Sequence, residues 1–328
     1  MKCNYLKTMR TRTLISALMG IASLTACNKN LSKIEYDLPV GEVCELTVRA
    51  SSELSVKATG GSDVIGANEK LIKNLQVFVF RGDFLDAYQR AATSPLSLTC
   101  TAGERVVYAI VNGPDLSSIS SKNALESYMV DLSVNAVNAL VMTGYNTVTL
   151  PQSEAVDISV DRLVSRVVVK KISRDFESNS LGALKLTIKK LYLSDAAGNV
   201  SVDTKSSPSK WYNTAGKSNE LTTLLSDSLS EEIPNKSSYS TQHYFYTMPN
   251  DAKAKSTKLI IEAQLGEQVF YYPIVLPALE GNHSYEISEI VIKRPGADTP
   301  DTPVTSEDVS FSISINDWSV VPISEQII

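Results

Sequence analysis

The sequence runs to 328 residues, enough for about two domains, with 31 basic residues against 36 acidic and a formal net charge of −5. That balance leaves no basic stripe for nucleic acid. No nucleophile, general base or metal constellation stands out, so the pattern is not that of an enzyme and implies no cofactor.

In chain order, Arg10 and Arg12 precede an apolar run over residues 14–24, about 11 residues and too short to span a bilayer, which leads into Leu24-Thr25-Ala26-Cys27. That is the pattern of a bacterial lipoprotein signal peptide, residues 1–26. A cysteine directly after two small residues supplies the thiol for diacylglyceryl transfer, and cleavage before it leaves lipidated Cys27 as the first mature residue. The mature chain is therefore expected to be exported and held by outer-membrane lipid, with a polar spacer over residues 27–42. Cys3 leaves with the signal and Cys27 is modified, so only Cys44 and Cys100 remain to pair. Each lies in a strand-like stretch, which favours two buried free thiols over a disulfide and leaves stability to core packing.

Cys44, Leu46, Val48 and Ala50 alternate with Glu45, Thr47, Arg49 and Ser51, the period of a strand with one buried face. Residues 57–63 (KATGGSD) form an exposed loop. Residues 75–80 (LQVFVF) predict a strong strand, Arg81-Gly82-Asp83 a turn and residues 84–88 its hairpin partner. Arg81-Gly82-Asp83 is also the tripeptide of some integrin ligands, but Gly-Asp between apolar strands is what a hairpin turn requires. A second hairpin joins residues 96–101 to 106–111. Leu125, Tyr128, Met129 and Leu132 recur at helical intervals, which predicts a helix over residues 121–132. Strands are expected over 147–150, 156–160, 163–172, 184–193, 199–202, 244–248, 258–265, 269–276 and 285–292. The Ser-rich residues 203–240 read as a long loop with a weak helical pattern at 221–229. Many short alternating strands and few helices argue for an all-β protein of antiparallel sandwiches. The boundary is placed near residues 151–162, between an N-terminal sandwich (43–158) and a C-terminal one (159–294).

Residues 295–308 (PGADTPDTPVTSED) carry almost no large apolar side chain and are expected to be extended and solvated, reaching roughly 40 Å at ~3.1 Å per residue. Beyond this leash, Val309, Phe311, Ile313 and Ile315 alternate with Ser310, Ser312, Ser314 and Asn316, a strand with one buried face. Trp318, between Ile315 and Val320, is expected to anchor it by packing, in its own subunit or the next. A strand on so long a leash can pair at home or elsewhere.

Other features have plainer readings. His243 and His283 lie far apart with no ligand spacing around either, so they read as structural, and neither a zinc site nor a His-based triad is supported. Asp195 with Asn199, and Asp298 with Asp301, fit turn and linker chemistry better than a weak calcium site. Trp211-Tyr212 reads as a loop pair folded back on its own domain rather than a sugar platform.

Taken together, the cysteine-terminated signal, Leu75-Gln76-Val77-Phe78-Val79-Phe80, Val107-Tyr108-Ala109-Ile110-Val111-Asn112, Leu140-Val141-Met142-Thr143-Gly144, Arg162-Leu163-Val164-Ser165-Arg166-Val167, Gly281-Asn282-His283-Ser284-Tyr285-Glu286-Ile287 and a last strand carrying Trp318 resemble, in order and spacing, the FimA-like major fimbrillins, or type V pilins, of Bacteroidales. The resemblance implies two transthyretin-like β-sandwich domains in tandem, within a subunit exported as a lipoprotein precursor. It implies a trypsin-like surface protease that cuts after the first strand (43–57), here between Lys57 and Ala58, and so opens a groove. A neighbouring subunit fills that groove with its tail, here residues 309–328, so the partners are other fimbrial subunits of a cell-surface fimbrium supporting adhesion. The family usually has Arg at the cut, which leaves Arg49 before Ala50 as an alternative site, or an uncut subunit acting as anchor. A tip or anchor protein, or a glycan-binding surface lipoprotein, is the alternative function.

Overall fold

The computed structural model describes residues 41–52 and 68–318. Period-2 alternation decides most of the fold, because each strand finds a partner that covers its apolar side. In chain order the strands are β1 (Val43–Ser51), β2 (Leu75–Arg81), β3 (Phe84–Ala91), β4 (Leu96–Thr101), β5 (Gly103–Val111), β6 (Met129–Asp131), β7 (Met142–Leu150), β8 (Val156–Ser159), β9 (Asp161–Arg162), β10 (Ser165–Val169) and β11 (Ile172–Arg174). They continue as β12 (Leu186–Ser194), β13 (Ala196–Ala197), β14 (Asn199–Ser201), β15 (Trp211–Tyr212), β16 (Ser226–Glu232), β17 (Ser237–Tyr239), β18 (His243–Thr247), β19 (Lys258–Leu265), β20 (Gln268–Val275), β21 (His283–Ile292) and β22 (Val309–Asp317). Short α-helices of a single turn lie at α1 (Lys122–Glu126), α2 (Asn179–Gly182) and α3 (Thr222–Leu225) among the described residues.

In the N-terminal half a three-stranded sheet, β4-β1-β8, lies against a five-stranded one, β3-β2-β5-β7-β9. Leu46, Val48 and Ala50 of β1 share a core there with Val77, Val79, Leu98, Val107, Ala109, Val148 and Ile158. β2 is buried on both faces, because Phe78 and Phe80 enter a second and larger core that continues through the C-terminal half.

The C-terminal half sets β16-β12-β19-β20 against a sheet built around β21. β10 and β11 pair with β21 in one continuous parallel register, Arg166 with Ser284 and Ile172 with Ile290, so they are two pieces of one interrupted strand. The opposite edge of β21 takes β22, antiparallel, with Ile287 opposite Ile313.

Three expectations are corrected. The helix over 121–132 stops at Glu126, because Met129–Asp131 pairs with Asn199–Ser201 instead; Ser121 caps the short helix by accepting from the Ala124 N–H. Residues 203–240 are not a plain loop, since Ser226–Glu232 supplies an edge strand to β12 and Ser237–Tyr239 pairs with β11. The leash is not free in solvent: Ala297 and Tyr271 exchange backbone hydrogen bonds of 2.8 and 2.9 Å, and Val304 packs on the larger core.

Candidate functional site

The two strands singled out by sequence hold opposite positions. β1 is central in its sheet, antiparallel to β4 from Val43 opposite Thr101 to Val48 opposite Leu96, and parallel to β8 from Val48 beside Val156 to Ser51 beside Ser159. Both its edges are therefore hydrogen-bonded, and its apolar face is buried as the alternation predicts. Side chains add to these ties. The Ala50 N–H donates to Ser94 Oγ at 3.0 Å and that hydroxyl donates back to the Ala50 carbonyl at 3.2 Å, while Arg49 pairs with Asp157 at 3.0 Å. Cys44 lies opposite Cys100 with sulfurs 3.9 Å apart and both thiols free. Burial, and then the neighbouring Cys44, push the Cys100 thiol up to about 12.

β22 has a hydrogen-bonded neighbour on one edge only, among the described residues. Val309, Phe311, Ile313 and Ile315 lie opposite Ile292, Ile290, Ile287 and Tyr285, all buried, so the tail's apolar face is turned to the core side of the sheet. The expected burial is nonetheless only partial. Val309 is covered and Ile313 half-covered, but Phe311 and Ile315, on an edge strand, remain 40% and 52% exposed.

What fixes the tail is its end. Trp318 is 2% exposed in its own subunit, and its indole N–H donates to Glu69 Oε2 at 2.9 Å. Arg162 and Arg166 lie over the indole at 4.9 and 5.0 Å, and Tyr246 stacks on it at 5.9 Å. Glu69, itself 1% exposed, also accepts from Arg166 Nη1 at 2.9 Å and from the Tyr246 hydroxyl at 2.5 Å, and its carbonyl accepts from Arg162 Nε at 3.3 Å. Burial, and then the Glu69 charge, raise the Tyr246 phenol; burial lowers the Arg162 guanidinium. Sequence reading missed Glu69, since nothing marks one carboxylate in a polar stretch as buried. Arg162 and Arg166, spaced to share a strand face, were its only hint.

Cys27, Lys57, Ala58 and the tail beyond Trp318 lie outside the described residues. The Arg81-Gly82-Asp83 stretch forms the β2–β3 turn with Gly82 at φ +59°, and Asp83 accepts from the N–H of Asn123 at 2.8 Å. Asp195 and Asp301 pair with Lys255 and Lys258. Trp211 and Tyr212 pair with Ala197 and Ala196, the Tyr212 hydroxyl donating to Asp131 at 2.6 Å. His243 meets Asp227 at 2.8 Å, and His283 meets the Gly281 carbonyl at the same distance.

This architecture is all-β and built from sandwiches, with a central first strand and an edge-bound last one. Residues 45–164 match the family model of the major fimbrial subunit protein FimA. The chain is 27% identical over 263 residues to the major fimbrium subunit FimC of Porphyromonas gingivalis, an alignment covering 74% of this chain and 56% of that relative, so it spans about half the relative's length. Among solved structures, a cell-adhesion-type protein from Bacteroides eggerthii has the same fold at a TM-score of 0.68 and 20% identity, covering 85% of this chain and 97% of that one. A fimbrilin (FimA) from Porphyromonas gingivalis W83 gives 0.61 at 14% identity, covering 85% and 98%, and the tip fimbrial protein Mfa3 gives 0.52 at 14%, covering 84% and 100%. The FimA-like fimbrillin resemblance is matched by that family model over residues 45–164 and by the shared fold.

Proposed function

We propose that the chain is a fimbrial subunit made as a precursor lipidated on Cys27, cut in the segment after β1 and assembled by strand exchange with other fimbrial subunits at the cell surface. The observation that carries this is the match between what β1 occupies and what β22 offers. Loss of a central strand leaves two rows of unpaired backbone groups and an uncovered apolar floor, and an incoming strand restores pairing and burial together. β22 carries an apolar residue at every second position, as β1 does, and two of the four are exposed at home. Each side chain buried in the groove contributes ~1.5–3 kcal/mol. Head-to-tail donation of this kind does not close, so it builds a filament.

A trypsin-like protease acts on extended, exposed backbone, which disfavours the Arg49–Ala50 bond. That bond lies inside a strand paired on both edges. N-terminal sequencing of subunits sheared from native cells tests the reading: a start at Ala58 supports it, a start at Ala50 moves the cut to Arg49, and a blocked Cys27 refutes strand removal and leaves an anchor.

A second reading, binding of surface glycans, is favoured by one feature. A cleft of about 850 Å³ is lined by Tyr145, Asp161, Arg162, Lys205 and Asn282, with Tyr145 65% exposed. An exposed ring beside planar hydrogen-bonding groups suits a sugar face.

A further inference from the structure

Cys44 and Cys100 join the strand whose departure the proposed assembly requires to the strand that stays, and their geometry suits more than two inert thiols. The Ala102 N–H donates to the Glu42 carbonyl at 2.8 Å, which extends the β1–β4 register one step past Val43 opposite Thr101. Antiparallel pairs alternate between hydrogen-bonded and open positions, so Cys44–Cys100, two residues further on, is a hydrogen-bonded pair with Cα atoms about 5.5 Å apart. That separation lies within the roughly 4.4–6.8 Å that a disulfide spans. The sulfurs already sit 3.9 Å apart on the inner side of the sheet, where Cys44 packs against the same core as Leu46 and Val48.

We propose that Cys44 and Cys100 form a reversible disulfide that staples β1 to β4 and keeps the groove closed until it is reduced. A low-molecular-weight disulfide is the oxidant. The half-buried Cys44 gives up its proton to solvent and attacks one sulfur of that donor, expelling the first donor thiolate. Cys100 then passes its proton to the expelled donor thiolate and attacks the Cys44 sulfur, forming the intramolecular bond and expelling the second donor thiolate, which takes a proton from solvent. Two protein thiols become one disulfide, and the donor disulfide becomes two thiols. Cys44 leads because it is the more accessible, while burial disfavours the Cys100 thiolate. With the bond closed, a cut after Lys57 severs the chain but leaves β1 attached to β4. Reduction then opens the slot.

The role in assembly rests on strand exchange; the bond itself does not. The full chain is incubated with oxidised glutathione or with dithiothreitol and mapped with trypsin without reduction. The expected result is a linked pair of peptides, 34–49 and 91–105, after oxidised glutathione and its loss after dithiothreitol. Separate peptides after the oxidant, or a persistent glutathione adduct on Cys44, overturn the proposal. Oxidised and reduced protein are then cut with a Lys-specific protease, and filament growth is followed by light scattering. Growth only after reduction, with Cys44→Ser growing equally under both conditions, supports the staple. Equal growth of oxidised and reduced wild-type protein with the linked pair intact overturns the staple's role and shows that β1 does not vacate the groove. The wild-type map needs no variant to fold.

Discussion

β1 and β22 have nearly the same sequence pattern and very different holds on the molecule. β1 has two hydrogen-bonded neighbours and a face that is buried from Leu46 to Ala50. β22 has one, β21, and its side chains are fully covered only at its ends, at Val309 and at Trp318 just beyond it. Alternation specifies that a strand has an apolar face; place in the sheet specifies how much of that face is used. Under the proposed exchange, the central slot would give an incoming strand a second ladder that the home edge lacks. The Trp318–Glu69 contact would have to break before the tail could leave its own subunit.

Replacing Ile315 by Asp separates the two settings most sharply. The side chain is half exposed at home, so the urea midpoint of the monomer should be unchanged, whereas in a groove the buried charge weakens the joint by several kcal/mol and assembly is lost. Filaments of ordinary stability from this variant would place Ile315 outside the groove. Leu46→Ala is the mirror experiment. It should cost the uncut precursor about 2–5 kcal/mol, because Leu46 is 2% exposed, and cost filaments nothing once β1 is gone. Weakened filaments would mean that β1 is still in them.

The smallest effect concerns acid and the support beneath β4. Burial raises the Asp86 carboxyl, but the Thr101 N–H, the Arg105 guanidinium and the Thr101 hydroxyl outweigh it and hold it below its ordinary 3.8. A depressed folded value means stability fully present above the unfolded value and lost as pH falls through the folded one. The urea midpoint of the precursor should fall between about pH 5 and pH 2, with a shallower fall in Asp86→Asn. An equally steep fall in that variant would assign the acid sensitivity to other carboxylates, Asp131 among them, held at about 2 despite its burial by Lys210, Tyr212 and Ser133.

Strand β1 was legible from its alternation, and β2, β5, β19 and β20 from short runs rich in aliphatic and aromatic residues beside Gly-containing turns. The helix at 121–132 was overextended because spacing cannot show that Met129–Asp131 has a strand partner some seventy residues on. The region 203–240 hid an edge strand because β16 is polar on its exposed sides and shows little pattern. The exposure of Phe311 and Ile315, the Glu69 cage and the facing cysteines depend on which strands become neighbours, and composition carries no record of that. The pairing of Cys44 with Cys100 closes over 56 residues, a span that no local pattern crosses.

β2 has a mechanical consequence. Val77 and Val79 lie in one core and Phe78 and Phe80 in the other, so a slip of one residue would push phenyl rings into a valine-sized space and the reverse. The strand acts as a key between the two halves. Were the subunits joined groove to tail as proposed, β2 would tie the two cores of each subunit together, and bending would concentrate at the joints between subunits.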